Sequence, residues 1–170
     1  VKQIKDLNNG IYLEEDLLNT TPTDFNIGVA GYPEKHIEAP NLESDLQFLK
    51  MKIEAGAQFI MTQLFFDNNK FFDFVDRCRK AGITVPIIPG LKPISTLSQV
   101  NTLPQTFNID LPYDLVKEVQ KCATNQQVRE AGAEWTIQQC KELIDKGIPA
   151  IHFYTMGRAD NIAKVAKAIF

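Results

Sequence analysis

Four short runs of apolar, β-prone residues recur along the 170-residue chain, at Phe25–Gly31, Phe59–Phe65, Val85–Pro89 and Ala150–Tyr154, with helix-period stripes between them. This alternation constrains the fold more than any other feature. Near-continuous apolar strands separated by helices build right-handed β/α units on a parallel sheet, an α/β class of fold. Leu42, Leu46, Leu49 and Ile53 recur at helical spacing after a capping residue, Asn41, and the stripe stops at Gly56. Phe71, Phe74, Val75 and Cys78 repeat the arrangement before Gly82, and Ile162, Val165, Ala166 and Ile169 follow Asp160.

The third unit carries more helix than a crossover needs. A short piece at Thr96–Leu103, another after Pro112, and a longer one over Asn125–Asp145 containing Trp135 read as extra helices after the third strand. A (β/α)8 TIM barrel runs to about 250 residues. Four units plus a leading helix, Val1–Asn8, therefore read as a small open sheet or as the C-terminal half of such a barrel. On the second reading residues 1–24 are the end of a preceding barrel helix with its loop, and residues 25–170 are the C-terminal half-barrel domain.

Composition narrows the partners. The net charge is -3 and no Lys/Arg run occurs, with a sequence pI of about 5.4; neither favours nucleic acid or an anionic membrane. No stretch approaches the roughly 20 apolar residues of a membrane span. Cys78, Cys122 and Cys140 are odd in number and lie in helical segments, a pattern of reduced cytoplasmic thiols rather than of a disulfide frame or a zinc site. The N-terminus has neither an initiator Met nor a signal-peptide pattern, so the chain is expected to begin inside a larger protein.

Dinucleotide-fold and P-loop glycine motifs are absent, as are hydrolytic nucleophile–histidine constellations. In parallel β/α folds functional groups gather at the C-terminal strand ends. After the first strand, Tyr32 and His36 lie in a polar loop; they can stack on or donate to a ligand, or belong to a solvated turn. Asp45 and Lys52, seven residues apart, share one helix face about 10 Å apart along the axis, as ligand contacts or as surface charges. Gln63 is an amide inside an apolar strand, satisfied by a planar ligand edge or by nearby backbone. Arg158, between a strand end and a helix, suits a carboxylate, whereas His152 reads as a hydrogen-bonded core residue. These residues support a ligand-binding β/α unit and name no reaction.

Taken in order, Val29-Ala30-Gly31-Tyr32-Pro33-Glu34-Lys35-His36-Ile37-Glu38-Ala39, Asp45, Leu49-Lys50, Ala55-Gly56-Ala57, Thr62-Gln63-Leu64-Phe65-Phe66-Asp67, Ile87-Ile88-Pro89-Gly90 and His152-Phe153-Tyr154-Thr155 resemble the methylenetetrahydrofolate reductase family. The resemblance implies a TIM-barrel flavoenzyme of one-carbon metabolism and methionine biosynthesis. It implies an oxidoreductase with non-covalent FAD that takes hydride from NADH or NADPH and reduces 5,10-methylenetetrahydrofolate to 5-methyltetrahydrofolate, in a cytoplasmic homo-oligomer.

Position by position, Ala30, Tyr32, His36, Asp45 and Lys52 match flavin contacts, and Gln63, Gln99 and Arg158 match folate contacts; no metal is implied. Phe48 and Met51 stand where some bacterial members carry Asn and Arg, Met156-Gly157 replaces a commoner Leu-Asn, and Lys92 occupies a position that is frequently apolar. The acid–base glutamate and the flavin-tuning aspartate that the resemblance implies fall upstream of Val1. No catalytic residue is therefore assigned in this chain, and the 170 residues are expected to be an inactive fragment. The alternative is a non-catalytic flavin- or folate-binding half-barrel that self-assembles.

Overall fold

A computed structural model describes residues 1–14, 16–157 and 159–170. Helix α1 (Lys2–Asn8) leads into strand β1 (Gly28–Gly31), α2 (Leu42–Glu54), β2 (Phe59–Leu64), α3 (Asn68–Lys80) and β3 (Ile87–Leu91). Three helices follow, α4 (Gln99–Phe107), α5 (Tyr113–Gln120) and α6 (Asn125–Asp145), before β4 (His152–Phe153) and α7 (Asp160–Ile169). The four strands form one parallel sheet in the order β1-β2-β3-β4. The expected α/β units and the extra helices after β3 are therefore present.

Local chemistry sets the helix boundaries. Asn41 caps α2 by accepting from the Ser44 amide at 2.8 Å, and Asp67 does the same for α3 through Asn69. Thr124 and Gln127 form a reciprocal capping box on α6. Several boundaries differ from expectation: β1 and β4 are shorter than the apolar runs 25–31 and 150–154, and α4 and β3 are displaced. The α4 helix runs through Pro104 to Phe107 and ends on Asn108 at φ +52°, because one missing N–H near a C-terminus does not stop a helix that closes on a left-handed Asn. The third strand is displaced from the expected 85–89 to 87–91, since Pro86 serves β2 by accepting from the Ile60 amide.

Register divides the sheet into two faces. Val29, Ile60 and Ile87 align laterally, as do Ala30, Met61 and Ile88. The first row packs with Leu49, Phe71, Phe74 and Leu143 into the core beneath the helices. The second row is only half-buried at Met61 and Ile88 and exposed at Ala30. The strands were expected to be covered on both faces; β2 instead alternates strictly between buried and half-buried positions.

A second core stands above the strand ends. Leu64 and Phe66 pack there with Ile94, from the connection after β3, and with Leu115, Val119 and Val128 from the inserted helices. Helix α6 is fastened to the end of β2 by polar contacts: Trp135 Nε1 donates to the Phe66 carbonyl at 3.0 Å, and Gln139 and Asn68 bond each other. Where α6 crosses the chain after β3, Gly132 lies so close that a Cβ would overlap the Ile94 backbone. All three cysteines are free, and burial pushes the Cys78 thiol up to about 11 and Cys140 to about 12.

Candidate functional site

The residues singled out in the sequence fall into two groups at the C-terminal ends of the strands. Beside β1, the loop Tyr32–Pro40 is held from four directions. The Asp45 carboxylate accepts from the His36 amide at 2.9 Å, Arg77 donates to the Pro33 carbonyl, Lys35 donates to the His36 and Ala39 carbonyls, and Glu34 accepts from the Asp110 amide. Asp45 thus orients the loop from α2. His36 Nδ1 accepts from the Glu38 amide at 3.2 Å, which makes that nitrogen the acceptor and Nε2 the one that carries the N–H in the neutral ring. The Tyr32 ring meets the His36 ring edge-on at 4.5 Å.

Ala30, Tyr32, Asp45 and Lys52 line one small cavity of about 20 Å³, room for a single water. Ala30, Tyr32, His36, Asp45 and Lys52 are therefore brought together as the sequence suggests, with Ala30 exposed and the rest half-buried. Burial, then the charges of Asp45 and Glu38, raise the Tyr32 pKa. Its hydroxyl keeps its proton and stays a donor.

Between β2 and β3 the ladder is irregular. Met61 pairs with Ile88 but Leu64 pairs with Gly90, so β2 spends one residue more than β3. The Thr62 hydroxyl fills the gap by accepting from the Gly90 amide at 2.9 Å, and the Thr62 carbonyl accepts from the Tyr154 hydroxyl at 2.9 Å. Gly90 is required by this crossing: a Cβ there would collide with the Thr62 carbonyl and the Tyr154 ring. Gln63 follows the bulge, half-buried, with its Oε1 accepting from the Leu64 amide at 2.9 Å. The backbone thus satisfies the carbonyl end of Gln63, and its amide NH2 makes no hydrogen bond with a described residue.

At the ends of β3 and β4 opens a larger cavity of about 490 Å³, within the usual size of small-molecule sites. Gln99 lines it, with Lys92, Arg129 and Tyr154. Arg158 lies outside the described residues. His152 differs from the expected core histidine: it is half-buried and packs edge-on against Tyr154 at 4.7 Å. Lys92, Arg129 and Tyr154 were not read as site residues. Lys92 was visible only as a cation in an apolar setting, and nothing in the spacing placed Arg129 beside it.

A third cluster sits between these groups. Glu34, with a side chain 10% exposed, shares one oxygen between Lys70 and the Asp110 amide, while its other oxygen is buried without a partner among the described residues. Burial raises its pKa against the pull of that amide and of Lys70. This cluster ties the β1 loop to α3 and to the connection after α4. Among the described residues no three His, Cys, Asp or Glu side chains group to hold a metal, and no helix is long and apolar enough to cross a membrane.

A parallel β/α domain with polar side chains gathered at its C-terminal strand ends is of the α/β class in which ligand sites, where present, lie at that end. The family model described as methylenetetrahydrofolate reductase matches residues 9–169, and the chain belongs to that family. A Caenorhabditis elegans protein named "Probable methylenetetrahydrofolate reductase (NADPH)" is 39% identical over 147 residues, 85% of this chain and 22% of that protein. The Escherichia coli (strain K12) 5,10-methylenetetrahydrofolate reductase is 38% identical over 138 residues, 81% of this chain and 47% of the bacterial one. The chain thus spans less than half of either relative. A solved structure of a Clostridium thermocellum protein, described as binding two copies of 5-methyl-5,6,7,8-tetrahydrofolic acid, superposes with a TM-score of 0.54 at 19% identity. That superposition covers 85% of this chain and 52% of the other.

Proposed function

We propose that this chain is the C-terminal half of a reductase barrel and carries its flavin-side and folate-side contacts. The reaction is reduction of 5,10-methylenetetrahydrofolate to 5-methyltetrahydrofolate with NAD(P)H through FAD. The observation that carries this reading is spatial: Tyr32, His36, Asp45 and Lys52 at β1, Gln63 at β2, and Gln99 beyond β3 lie at the same end of consecutive parallel strands. Family membership supplies the chemistry, and the NADPH in the nematode relative's name supports a nicotinamide reductant.

The donor set beside β1 suits a flavin dinucleotide. The Lys52 ammonium, which makes no ion pair with a described residue, and His36 Nε2 would meet phosphate. The free Asp45 oxygen would meet a ribose hydroxyl and the Tyr32 ring a planar system. The cavity itself admits only water, so the dinucleotide would lie across this surface. Bound there, FAD would supply the hydride-carrying chemistry. The chain's own residues bind and orient: the Gln63 NH2 donates to a pterin edge, and Tyr154, held on the Thr62 carbonyl, walls the folate side.

None of these groups is a strong acid at the reacting atoms, and a general acid contributes typically 10² to 10⁴ in rate. The isolated 170 residues are therefore expected to show no electron transfer from NAD(P)H to menadione and weak FAD binding, read by flavin absorbance on titration. Turnover by this chain alone would contradict the inactive-fragment reading. Failure to bind either FAD or 5-methyltetrahydrofolate at millimolar concentration would contradict the assignment of the site. The open row Ala30, Met61 and Ile88 favours a second reading, in which two copies pair face to face or edge to edge as a homo-oligomer. A monomer in sedimentation excludes it.

A further inference from the structure

Lys92 stands immediately after β3, is 7% exposed, and lines the 490 Å³ cavity at the ends of β3 and β4. It forms no hydrogen bond or ion pair with any described residue. A buried ammonium keeps its charge only where something compensates it, and the solvent-facing side of Lys92 is this cavity. Burial accordingly lowers its pKa, with no described anion opposing the shift.

The neighbouring groups share its polarity. Gln99 Oε1 accepts from the Ser95 amide at 2.7 Å, which turns the Gln99 NH2 outward as a donor. Asn161 differs: its NH2 donates to the Ser95 hydroxyl at 3.0 Å, and its Oδ1 remains an acceptor. Arg129, half-buried on α6, adds a second cation without an ion pair among the described residues. Against these the described lining offers one carboxylate, the exposed Asp160.

We propose that Lys92 is a ligand-binding residue which, with the Gln99 amide and Arg129, anchors an oxyanion in the cavity between the ends of β3 and β4. This rests on the folate reading for the source of the anion, a carboxylate of the folate glutamyl group. A compound with the same pterin and no carboxylate does not engage Lys92.

The test titrates the 170-residue chain with 5-methyltetrahydrofolate, with 6-methyltetrahydropterin, which has no carboxylate, and with inorganic phosphate. The Lys92 side-chain NMR resonance is followed throughout, alongside the variants Lys92→Met and Lys92→Arg. The expected result is that 5-methyltetrahydrofolate shifts the Lys92 resonance and binds about tenfold to a hundredfold more weakly to Lys92→Met, the effect of one charge-assisted hydrogen bond. Lys92→Arg retains most of the affinity, and the pterin binds wild type and Lys92→Met equally. Equal binding of 5-methyltetrahydrofolate by wild type and Lys92→Met overturns the inference and leaves the folate reading standing. If phosphate shifts Lys92 and neither folate compound binds, the anion site is supported and the folate reading falls. If no probe moves Lys92, the inference is overturned. An amide fingerprint of each variant that matches wild type separates lost binding from lost fold.

Discussion

The two faces of the sheet are built from the same strands and differ in what they meet. On β2, Ile60, Thr62 and Leu64 are essentially inaccessible, whereas Phe59, Met61 and Gln63, interleaved with them, remain half-buried. The covered face is committed to stability through close packing against α2, α3 and α6. The open face and the strand ends retain groups whose hydrogen bonds and charges are unfinished: the Gln63 amide, His36 Nε2, Lys52 and Lys92. Along β2, covered and open positions are thus separated by a single residue step.

Substitutions on either side can break or sharpen this contrast. The largest effect is expected at Phe71, fully buried and stacked on Phe65 at 5.3 Å. Phe71→Ala should cost about 3 to 5 kcal/mol in urea unfolding, and a loss below about 1 kcal/mol would show that the covered face is not the stabilising one. Next is Gly132→Ala, which should cost about 1 to 3 kcal/mol because α6 must back away from Ile94; the same urea titration reads it.

Lys92→Met reverses the sign. Removing a largely desolvated cation that no described anion pairs should raise stability near neutral pH by about 1 kcal/mol. The pH profile checks the cause. Burial lowers the Lys92 pKa below its ordinary 10.5, so the folded chain releases that proton before the unfolded chain does. Wild-type stability therefore gains as pH rises from the lowered folded value toward 10.5. The variant lacks that gain, and identical pH profiles would remove burial as the explanation. Met61→Gln, on the open face, is expected to move the melting midpoint least, by an equivalent of about 0.5 kcal/mol or less. A large loss there would mean that the open face is covered in solution.

Much of the fold was legible because its signals are local. Asn41, Gly56, Asp160 and the spacing of Leu42, Leu46, Leu49 and Ile53 define helix ends and buried stripes without reference to the rest of the chain. The grouping beside β1 was legible for the same reason: Tyr32, His36, Asp45 and Lys52 lie within 21 residues of one another. What escaped depends on distant partners. The bulge at Thr62 is met by Gly90 from β3 and by Tyr154 from just past β4, and that crossing makes Gly90 part of the strand where the sequence places the strand end at Pro89. Lys92 and Arg129 are 37 positions apart, so no local spacing could have joined them.

The hydrogen bond from Trp135 to the Phe66 carbonyl has a practical side. Trp135 is the sole tryptophan of the chain, and its indole sits where the inserted helices are fastened to the end of β2. Its emission is therefore an intrinsic optical gauge of that junction. Excited selectively, it separates release of α6 from melting of the sheet without any added label.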